Sequence, residues 1–132
     1  MAAFMNNEHE ERYNEVLGRM KRKDTYHKAA AYLITLDEEL YNHIDEVFDF
    51  DKGSIFVSGL AMRGWQTAGS IKTTHLLLNL WNSSMADFDR NDKIDKDSIR
   101  QYSVDEIFSS NLAYWYFEAI KLRYPHIERS VS

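Results

Sequence analysis

The polar side chains best placed to do chemistry interrupt the segment GWQTAGSIKTTHLLLNLWN, which is otherwise largely apolar. His75 and Asn79 are four residues apart, so a helix would place them on one face. Buried groups of this kind need hydrogen-bond partners, because burial without them costs on the order of a few kcal/mol each. The segment therefore supplies a set of candidate binding residues: Trp65, Gln66, Thr67, Ser70, Lys72, His75 and Asn79.

This cluster has two interpretations. In the first, the glycine-rich loop and the N-terminus of the following helix form a pocket or partner surface that could receive an anion. In the second, Gln66 and Asn79 tie the irregular loop to the helix, and Trp65 plugs the core. The segment lacks the glycine spacing of a Walker loop or a dinucleotide-binding turn, so no particular phosphate ligand is predicted.

The aspartate-rich stretch DFDRNDKIDKDS, residues 87–98, partly matches a calcium-binding loop. Asp92 replaces the glycine of loop position 6, and Ser98 replaces the glutamate of position 12. We therefore predict no metal site, and expect an exposed, mobile connection that presents acidic groups to a partner. The oxygen ligands that do match, at positions 1, 3, 5 and 9, are Asp87, Asp89, Asn91 and Asp95.

Few other residues suggest catalysis. The chain has no cysteine, which excludes disulfides, thiolate metal sites and a cysteine nucleophile, and favours a cytoplasmic location. Its five histidines include no i, i+4 pair of the kind that binds zinc on a helix. A nucleophile elbow, paired catalytic carboxylates and a phosphate loop are also missing. The sequence therefore predicts no cofactor and no catalytic residue, and it favours a protein that is not an enzyme.

Charge is distributed unevenly along the chain. Sixteen basic and 21 acidic residues give a net charge of −5, which argues against broad affinity for nucleic acid. Direct DNA binding through the basic residues from Arg19 to Lys23 and through Lys28 is least favoured, because no helix-turn-helix signature accompanies them. Residues 35–51 contain seven acidic residues and no lysine or arginine, which indicates solvated helix faces or a surface that steers a protein partner. The candidate acidic partner surface consists of Asp37, Glu38, Glu39, Asp45, Glu46 and Asp49.

Apolar periodicity predicts an all-α, compact single domain over residues 1–132. The stretch from 70 to 82 is apolar on nearly every side, so it is expected at the centre of the bundle, after an irregular glycine-rich segment. No apolar run reaches the roughly 20 residues that cross a bilayer, so no membrane association is expected. About five helices are predicted: residues 6–23 with Asn6 or Asn7 as the N-cap, a helix capped by Asp24, one from Asp37 through Phe48, residues 70–82, and one from the capping box Ser103–Glu106 to Pro125.

The last predicted helix carries an aromatic cluster, Tyr114 to Phe117, that a single buried stripe cannot cover. Either the helix is enclosed on all sides, or part of it contacts a second protein chain. A homodimer through this C-terminal aromatic helix is therefore one partner arrangement that the sequence suggests. Glu118 lies beside these aromatics and is expected to be ion-paired rather than catalytic.

Five segments carry a resemblance to a known family: EHEERYNEVL, YHKAAAYLI, HIDEVFDFDKG, GWQTAGSIKTTHLLLNLWN and VDEIFSSNLAYWYFEAIKLRYP. In these segments the chain resembles an uncharacterised family of short proteins, of about this length, from Gram-positive bacteria and their mobile elements. The resemblance implies a phage or mobile-element setting and supplies no catalytic residue.

These observations favour a non-catalytic protein–protein interaction domain. In the setting that the resemblance implies, it would inhibit a host defence or nucleic-acid-handling protein. The alternative is a small-ligand-binding domain or enzyme that uses a pocket around Trp65, Gln66, His75 and Asn79.

Overall fold

The computed structural model describes residues 2–127 and is mainly α-helical. The α-helices are α1 Asn7–Arg19, α2 Thr25–Leu36, α3 Glu38–Asn42, α4 Ile44–Val47, α5 Ala68–Asn82, α6 Val104–Ile107 and α7 Ala113–Arg123. Short 3-10 helices span Leu60–Met62, Lys96–Tyr102 and Pro125–Ile127. The strands are β1 Phe48–Asp49, β2 Ser54–Ile55, β3 Asp87–Phe88 and β4 Ile94–Asp95. Within the described residues, no helix is both long and apolar enough to cross a membrane.

The first two helices begin where the sequence predicts. The Asn6 side chain accepts a hydrogen bond from the backbone N–H of His9 at 2.8 Å, which caps α1. Asp24 accepts one from the N–H of His27 at 3.0 Å, which caps α2. Both caps satisfy donors that have no partner inside the first helical turn, so these two predictions are confirmed.

Helices α2 and α5 share the centre of the domain. Every residue of α2 from Ala29 to Leu36 is buried, and α1, α5 and α7 pack against this helix. Three successive alanines, at positions 29–31, allow these neighbours to approach closely. Helix α5 begins at Ala68, two residues before the predicted start, and is buried from Thr73 to Leu78. The predicted buried helix is thus part of a two-helix centre.

The helix predicted from Asp37 to Phe48 is divided at His43. The backbone of His43 leaves the helical region, with φ −117° and ψ 31°. Its ring Nδ1 and its backbone N–H both donate to the carbonyl of Glu39, at 2.9 and 3.2 Å. This side-chain bond competes with regular helix continuation. Phe48 then lies in β1 rather than in a helix, and it is 1% exposed.

The long C-terminal helix is also divided, into α6 and α7. The hydroxyl of Ser109 donates to the carbonyl of Glu106 at 2.6 Å, and the hydroxyl of Ser110 accepts from the N–H of Leu112 at 3.0 Å. Serine hydroxyls at this spacing offer the backbone an alternative to helical hydrogen bonds. The sequence prediction of one continuous helix is therefore wrong between residues 108 and 112.

Only half of the predicted capping box at Ser103 is present. The Ser103 hydroxyl accepts from the N–H of Glu106 at 3.2 Å, as predicted. The N–H of Ser103, however, donates to the carbonyl of Arg100 at 3.3 Å, because a 3-10 helix runs directly into the cap. The Glu106 carboxylate therefore does not close the box.

The aspartate-rich stretch forms the hairpin β3–β4 and the start of a 3-10 helix. Asp87 is 7% exposed and Ser98 is 2% exposed, so the prediction of an exposed connection is wrong at both ends. At the tip, the Asp89 carboxylate accepts from the N–H groups of Lys93 and Asn91 at 3.0 and 2.8 Å, and these bonds lower the pKa of Asp89. Asp92 adopts a left-handed conformation, with φ 61°, and contacts the hydroxyl of Ser58.

Candidate functional site

A buried polar network lies where β3 packs against α5. The carboxylate of Asp87 accepts from Nε2 of His75 at 3.1 Å and from the hydroxyl of Tyr102 at 2.8 Å. The backbone N–H of Asp87 donates to the Ser98 hydroxyl at 2.7 Å. Because a carboxylate only accepts, Nε2 of His75 carries the proton of this bond; in the neutral imidazole this leaves Nδ1 as the acceptor of the ring.

Tyr102 holds this network from the side of the 3-10 helix. Its ring lies over the imidazole of His75, with 4.2 Å between centroids and 31° between planes. Burial first, and then the hydrogen bond to Asp87, raises the pKa of the Tyr102 phenol far above its usual value. The hydroxyl therefore stays protonated and keeps donating to the carboxylate.

His75 also lines a surface depression of about 340 Å³. Its neighbours there are Lys72 of the same helix, Gln101 of the 3-10 helix and Glu106 of α6, with Ala68 and Ile71 as the apolar part. The depression thus has one cationic, one anionic, one amide and one imidazole side chain on its wall. Sequence reasoning missed Gln101, Glu106, Asp87 and Tyr102, because they come together only after the hairpin and 3-10 helix fold onto α5.

Gln66 connects the loop to the start of α5. Its amide nitrogen donates to the carbonyl of Leu60 at 3.1 Å and to the hydroxyl of Thr74 at 3.0 Å, and its oxygen accepts from Ser70 at 2.5 Å. Thr67 and Ser70 form a reciprocal capping box around the first turn of α5. The polar atoms of this group are therefore bonded within the protein, as expected for structural ties.

Trp65 is half-buried beside the core and stacks on His43, with 4.3 Å between ring centroids and 3° between planes. Asn79 lies at the other end of α5, where its amide donates to the carbonyl of Ser84 at 3.1 Å. The predicted binding residues are therefore separated: Thr67 and Ser70 line one depression, and Lys72 and His75 line another.

The N-terminus of α5 has no features of an anion site. The depression beside it has a volume of about 350 Å³ and includes Thr67 and Ser70 together with Asp37, Glu38 and Glu39. Negative side chains at this position disfavour an anionic ligand, and the capping box already uses the backbone N–H groups of Thr67 and Ser70. The geometry therefore argues against the predicted capture of an anion by this helix terminus.

Most of the predicted acidic surface is neutralised or used within the fold. Asp37 is 5% exposed and caps α3 by accepting from the N–H groups of Glu39 and Leu40 at 3.0 and 3.3 Å, so its carboxylate is engaged within the fold. Glu38 pairs with Arg12 at 2.7 Å. Helix capping and ion pairing thus reduce the acidic field that the sequence suggested.

The remaining members of that surface differ in their availability. Glu46 lies 3.7 Å from Arg63, and Asp49 accepts from the N–H groups of residues 51 and 52, both at 3.0 Å. Asp45 is exposed and Glu39 is half-buried. These last two are the carboxylates of the predicted surface that neither cap a turn nor form an ion pair within residues 2–127.

An apolar groove of about 440 Å³ lies on the outer side of the hairpin β3–β4. Its large apolar side chains are Met85, Phe88, Ile94 and Ile99. Three of them are strongly exposed, Met85 at 72%, Ile94 at 58% and Ile99 at 51%. A groove whose apolar walls remain in water is typical of an interaction site.

Basic side chains flank this groove along the chain. Among the nearby carboxylates, Asp89 and Asp95 accept from backbone N–H groups and Asp92 contacts Ser58, whereas Asp97 is exposed. Within the described residues, the four exposed cations of the segment form no ion pair; they are Arg90, Lys93, Lys96 and Arg100. The hairpin and 3-10 helix therefore carry exposed cations, interspersed with carboxylates, in the segment that contributes Ile94 and Ile99 to the groove.

Helix α7 is neither fully enclosed nor fully exposed. Tyr116 is buried, and its hydroxyl contacts those of Thr73 at 2.6 Å and Ser110 at 3.0 Å. Tyr114 is 74% exposed and Phe117 is 55% exposed. A homodimer through this face stays a prediction.

Glu118 is ion-paired, as predicted. It lies 2.9 Å from Lys121 and also accepts from the N–H of Ala3 at 2.9 Å. Partial burial acts to raise the pKa of Glu118, but the bonds from Ala3 and Lys121 outweigh it and lower the pKa.

Residues 2–127 contain no group of three or more histidine and acidic side chains arranged to hold a metal ion.

The fold and the site together define a mainly α-helical protein with a buried His–Asp–Tyr network between a polar depression and an apolar groove. A family model described as a family of unknown function (DUF6075) matches residues 1–132, so the chain belongs to that family. No curated protein and no solved structure shows a significant match to the chain.

Proposed function

We propose that the protein is a non-catalytic interaction domain that binds an apolar, acidic segment of a partner protein in the groove of the hairpin β3–β4. The observation that carries this proposal is the exposure of Met85, Ile94 and Ile99 around one cavity. Burying a large apolar side chain contributes about 1.5–3 kcal/mol, so three of them are a strong driving force for association.

The register of the hairpin explains why the apolar side chains face outward. Phe88 pairs with Ile94, and Asp87 pairs with Asp95. Because successive side chains on a strand point to opposite faces, burying Asp87 against His75 turns the Phe88–Ile94 pair toward solvent. The burial of Asp87 in the polar network therefore also fixes the position of the apolar groove on the opposite face of the hairpin.

Exposed cations in the segment beside the groove favour carboxylates on the partner. In a 3-10 helix residues three apart lie on the same side, so Lys96 is aligned with Ile99. Arg100 and Lys93 are exposed nearby in the sequence and have no ion-pair partner within residues 2–127. A segment that combines apolar side chains with carboxylates would complement both features.

Two synthetic amphipathic peptides test this proposal. They share one leucine pattern, but one carries glutamate and the other lysine on the polar face, and fluorescence anisotropy measures their binding. We expect the glutamate peptide to bind at least about tenfold more tightly, and Ile94→Asp to abolish its binding. The matched control is Val104→Asp, because Val104 is 74% exposed but does not line the groove, and it should leave binding unchanged.

Three results would contradict the proposal. Equal binding of the two peptides would remove the charge argument, and full binding by Ile94→Asp would place the peptide elsewhere. Sedimentation of the protein alone supplies the third: self-association that Ile94→Asp removes would assign the groove to a second copy of the chain.

For the partner itself we propose a host protein of a defence or nucleic-acid-handling complex, which this protein inhibits in a phage or mobile-element setting. The support is the resemblance of its sequence segments to short proteins of such elements. Neighbouring phage or defence genes would strengthen this assignment, whereas a metabolic operon would count against it.

A further inference from the structure

We infer that the depression between α5, the 3-10 helix Lys96–Tyr102 and α6 binds a small zwitterion, of the class of free aliphatic α-amino acids. This site is separate from the groove proposed for the partner protein. It also differs from the pocket that the sequence suggested, because neither Trp65, Gln66 nor Asn79 lines it.

The imidazole of His75 gives the first reason for a ligand. The ring is 1% exposed, and its Nε2–H is committed to Asp87. Its Nδ1 forms no hydrogen bond within residues 2–127. In that range the side-chain polar atoms that are fully buried without a partner are His27 Nε2, Arg63 Nε and Trp65 Nε1, so Nδ1 of His75 keeps contact with solvent. Since His75 lines the depression, its free acceptor is open to a donor placed there.

The network behind the ring keeps that acceptor in place. Asp87 receives the Nε2–H, and Tyr102 both stacks on the ring and donates to the same carboxylate. A histidine whose far nitrogen is bonded to a carboxylate has its tautomer and orientation fixed. A ligand donor therefore meets a preorganised acceptor, which lowers the entropy cost of binding.

The charged side chains on the wall define the class of ligand. Glu106 does not close its capping box, so its carboxylate is available to an ammonium group, together with Nδ1 of His75. Lys72 offers a cation for a carboxylate, and Gln101 can donate or accept. Ala68 and Ile71 provide apolar contact for an aliphatic side chain. A cavity of about 340 Å³ is at the small end of ligand pockets, which fits a single amino acid.

NMR titration with L-leucine as the probe tests this inference. The His75 ring nitrogens are followed by long-range ¹H–¹⁵N correlation, and N-acetyl-leucine and leucinamide serve as probes that lack the cation and the anion respectively. We expect leucine to shift the Nδ1 resonance of His75 saturably, and both analogues to bind at least about tenfold more weakly.

Matched variants locate the site without disturbing the fold. Lys72→Met and Glu106→Gln should each weaken leucine binding at least about tenfold, because each removes one charge-assisted contact. Lys96→Met and Asp105→Asn change exposed charges that do not line the depression, so they should leave binding unchanged. Ile94→Asp should also leave it unchanged, which separates this site from the groove.

The inference is overturned if leucine produces no saturable shift of the His75 ring. It is equally overturned if the analogues match leucine, or if both Lys72→Met and Glu106→Gln bind it with unaltered affinity.

Discussion

The two hairpins of the molecule have strands of equal length, but they differ in whether apolar or polar side chains face the core. In β1–β2 the pair Phe48 and Ile55 is buried, at 1% and 4% exposure. In β3–β4 the apolar pair lies on the outer face, where Ile94 is 58% exposed and Phe88 is half-buried, and the buried residue is Asp87. Both tips are held alike, since an aspartate carboxylate accepts two backbone N–H groups in each.

The environment behind each hairpin explains the difference. Behind β1–β2 lies the aromatic core, where Phe48 contacts the rings of His27 and Trp81. Behind β3–β4 stand two donors, His75 and Tyr102, which stabilise a carboxylate rather than an apolar side chain. The first hairpin therefore stabilises the domain through apolar burial. The second hairpin buries the charged carboxylate of Asp87 and places the apolar pair Phe88–Ile94 on its outer face.

The largest expected contrast is between apolar side chains of the two hairpins. Phe48→Ala should lower the free energy of unfolding by about 3–5 kcal/mol, because it opens a cavity in the core. Ile94→Ala should change it by less than about 0.5 kcal/mol, because that side chain already contacts water. Urea denaturation of the two variants measures both. Similar losses of stability in the two variants would contradict the burial of Phe48 in the first hairpin and the exposure of Ile94 in the second.

The next effect concerns the buried charge. Asp87→Asn should cost about 2–3 kcal/mol, because the neutral amide accepts more weakly from His75 and Tyr102 and adds donors that lack partners. Asp97→Asn is the control, since Asp97 is exposed and its carboxylate lies outside this network. Thermal and urea unfolding report the difference. Equal stability of the two variants would mean that the network contributes nothing to the fold.

A pH profile separates Tyr102 from the other contacts of the second hairpin. Because the pKa of Tyr102 is raised in the folded chain, the unfolded chain binds fewer protons than the folded one above about pH 10. Stability should therefore fall with rising pH in that window, by up to about 1.4 kcal/mol per pH unit for each such group.

The variant Tyr102→Phe should be about 1–1.5 kcal/mol less stable at neutral pH and should lose stability less steeply above about pH 10. Urea titrations across this alkaline range measure the slope. Some slope should remain in the variant, because burial also raises the pKa of Tyr13, Tyr32 and Tyr116. Identical slopes for both proteins would contradict the role assigned to the phenol.

The last expected contrast lies at the tips of the two hairpins. Gly53 and Asp92 both have left-handed backbones, with φ 71° and 61°. Gly53→Ala should cost about 1–2 kcal/mol, since a Cβ is strained in this region. Asp92→Gly should change stability by less than about 0.5 kcal/mol, because relief of that strain offsets the added chain entropy and the lost contact with Ser58. Urea denaturation resolves the difference, and a large loss in Asp92→Gly would show that this contact dominates.

The sequence was sufficient to predict those parts of the fold that depend on local signals. The caps Asn6 and Asp24 and the apolar helix α5 follow from residues within one or two turns of each other. The breaks at His43 and Ser109 were missed, because apolar periodicity does not register side chains that bond to their own backbone. These polar bonds outweighed the helical pattern at both positions.

The candidate site was predictable only in its residues from α5, Lys72 and His75. His75 stood out as a polar residue in an apolar helix, and the sequence correctly required a partner for it. That partner is Asp87, twelve residues away, rather than a group on the same helix face. The composition of an aspartate-rich stretch indicates solvent exposure. The sequence alone does not distinguish Asp87, whose carboxylate is buried, from the other aspartates.

The carboxylates of the second hairpin that are hydrogen-bonded within the fold also bear on the kinetics of binding to the proposed partner. From Asp87 to Arg100 the sequence has five acidic and four basic residues, yet four of the acids are engaged within the fold. The acidic partner proposed above would therefore meet repulsion from a molecule of net charge −5 at a distance, and attraction to the exposed cations only at contact. Salt at about 0.15 M screens fields beyond roughly 8 Å, so it should quicken the encounter while it shortens the lifetime of the bound state.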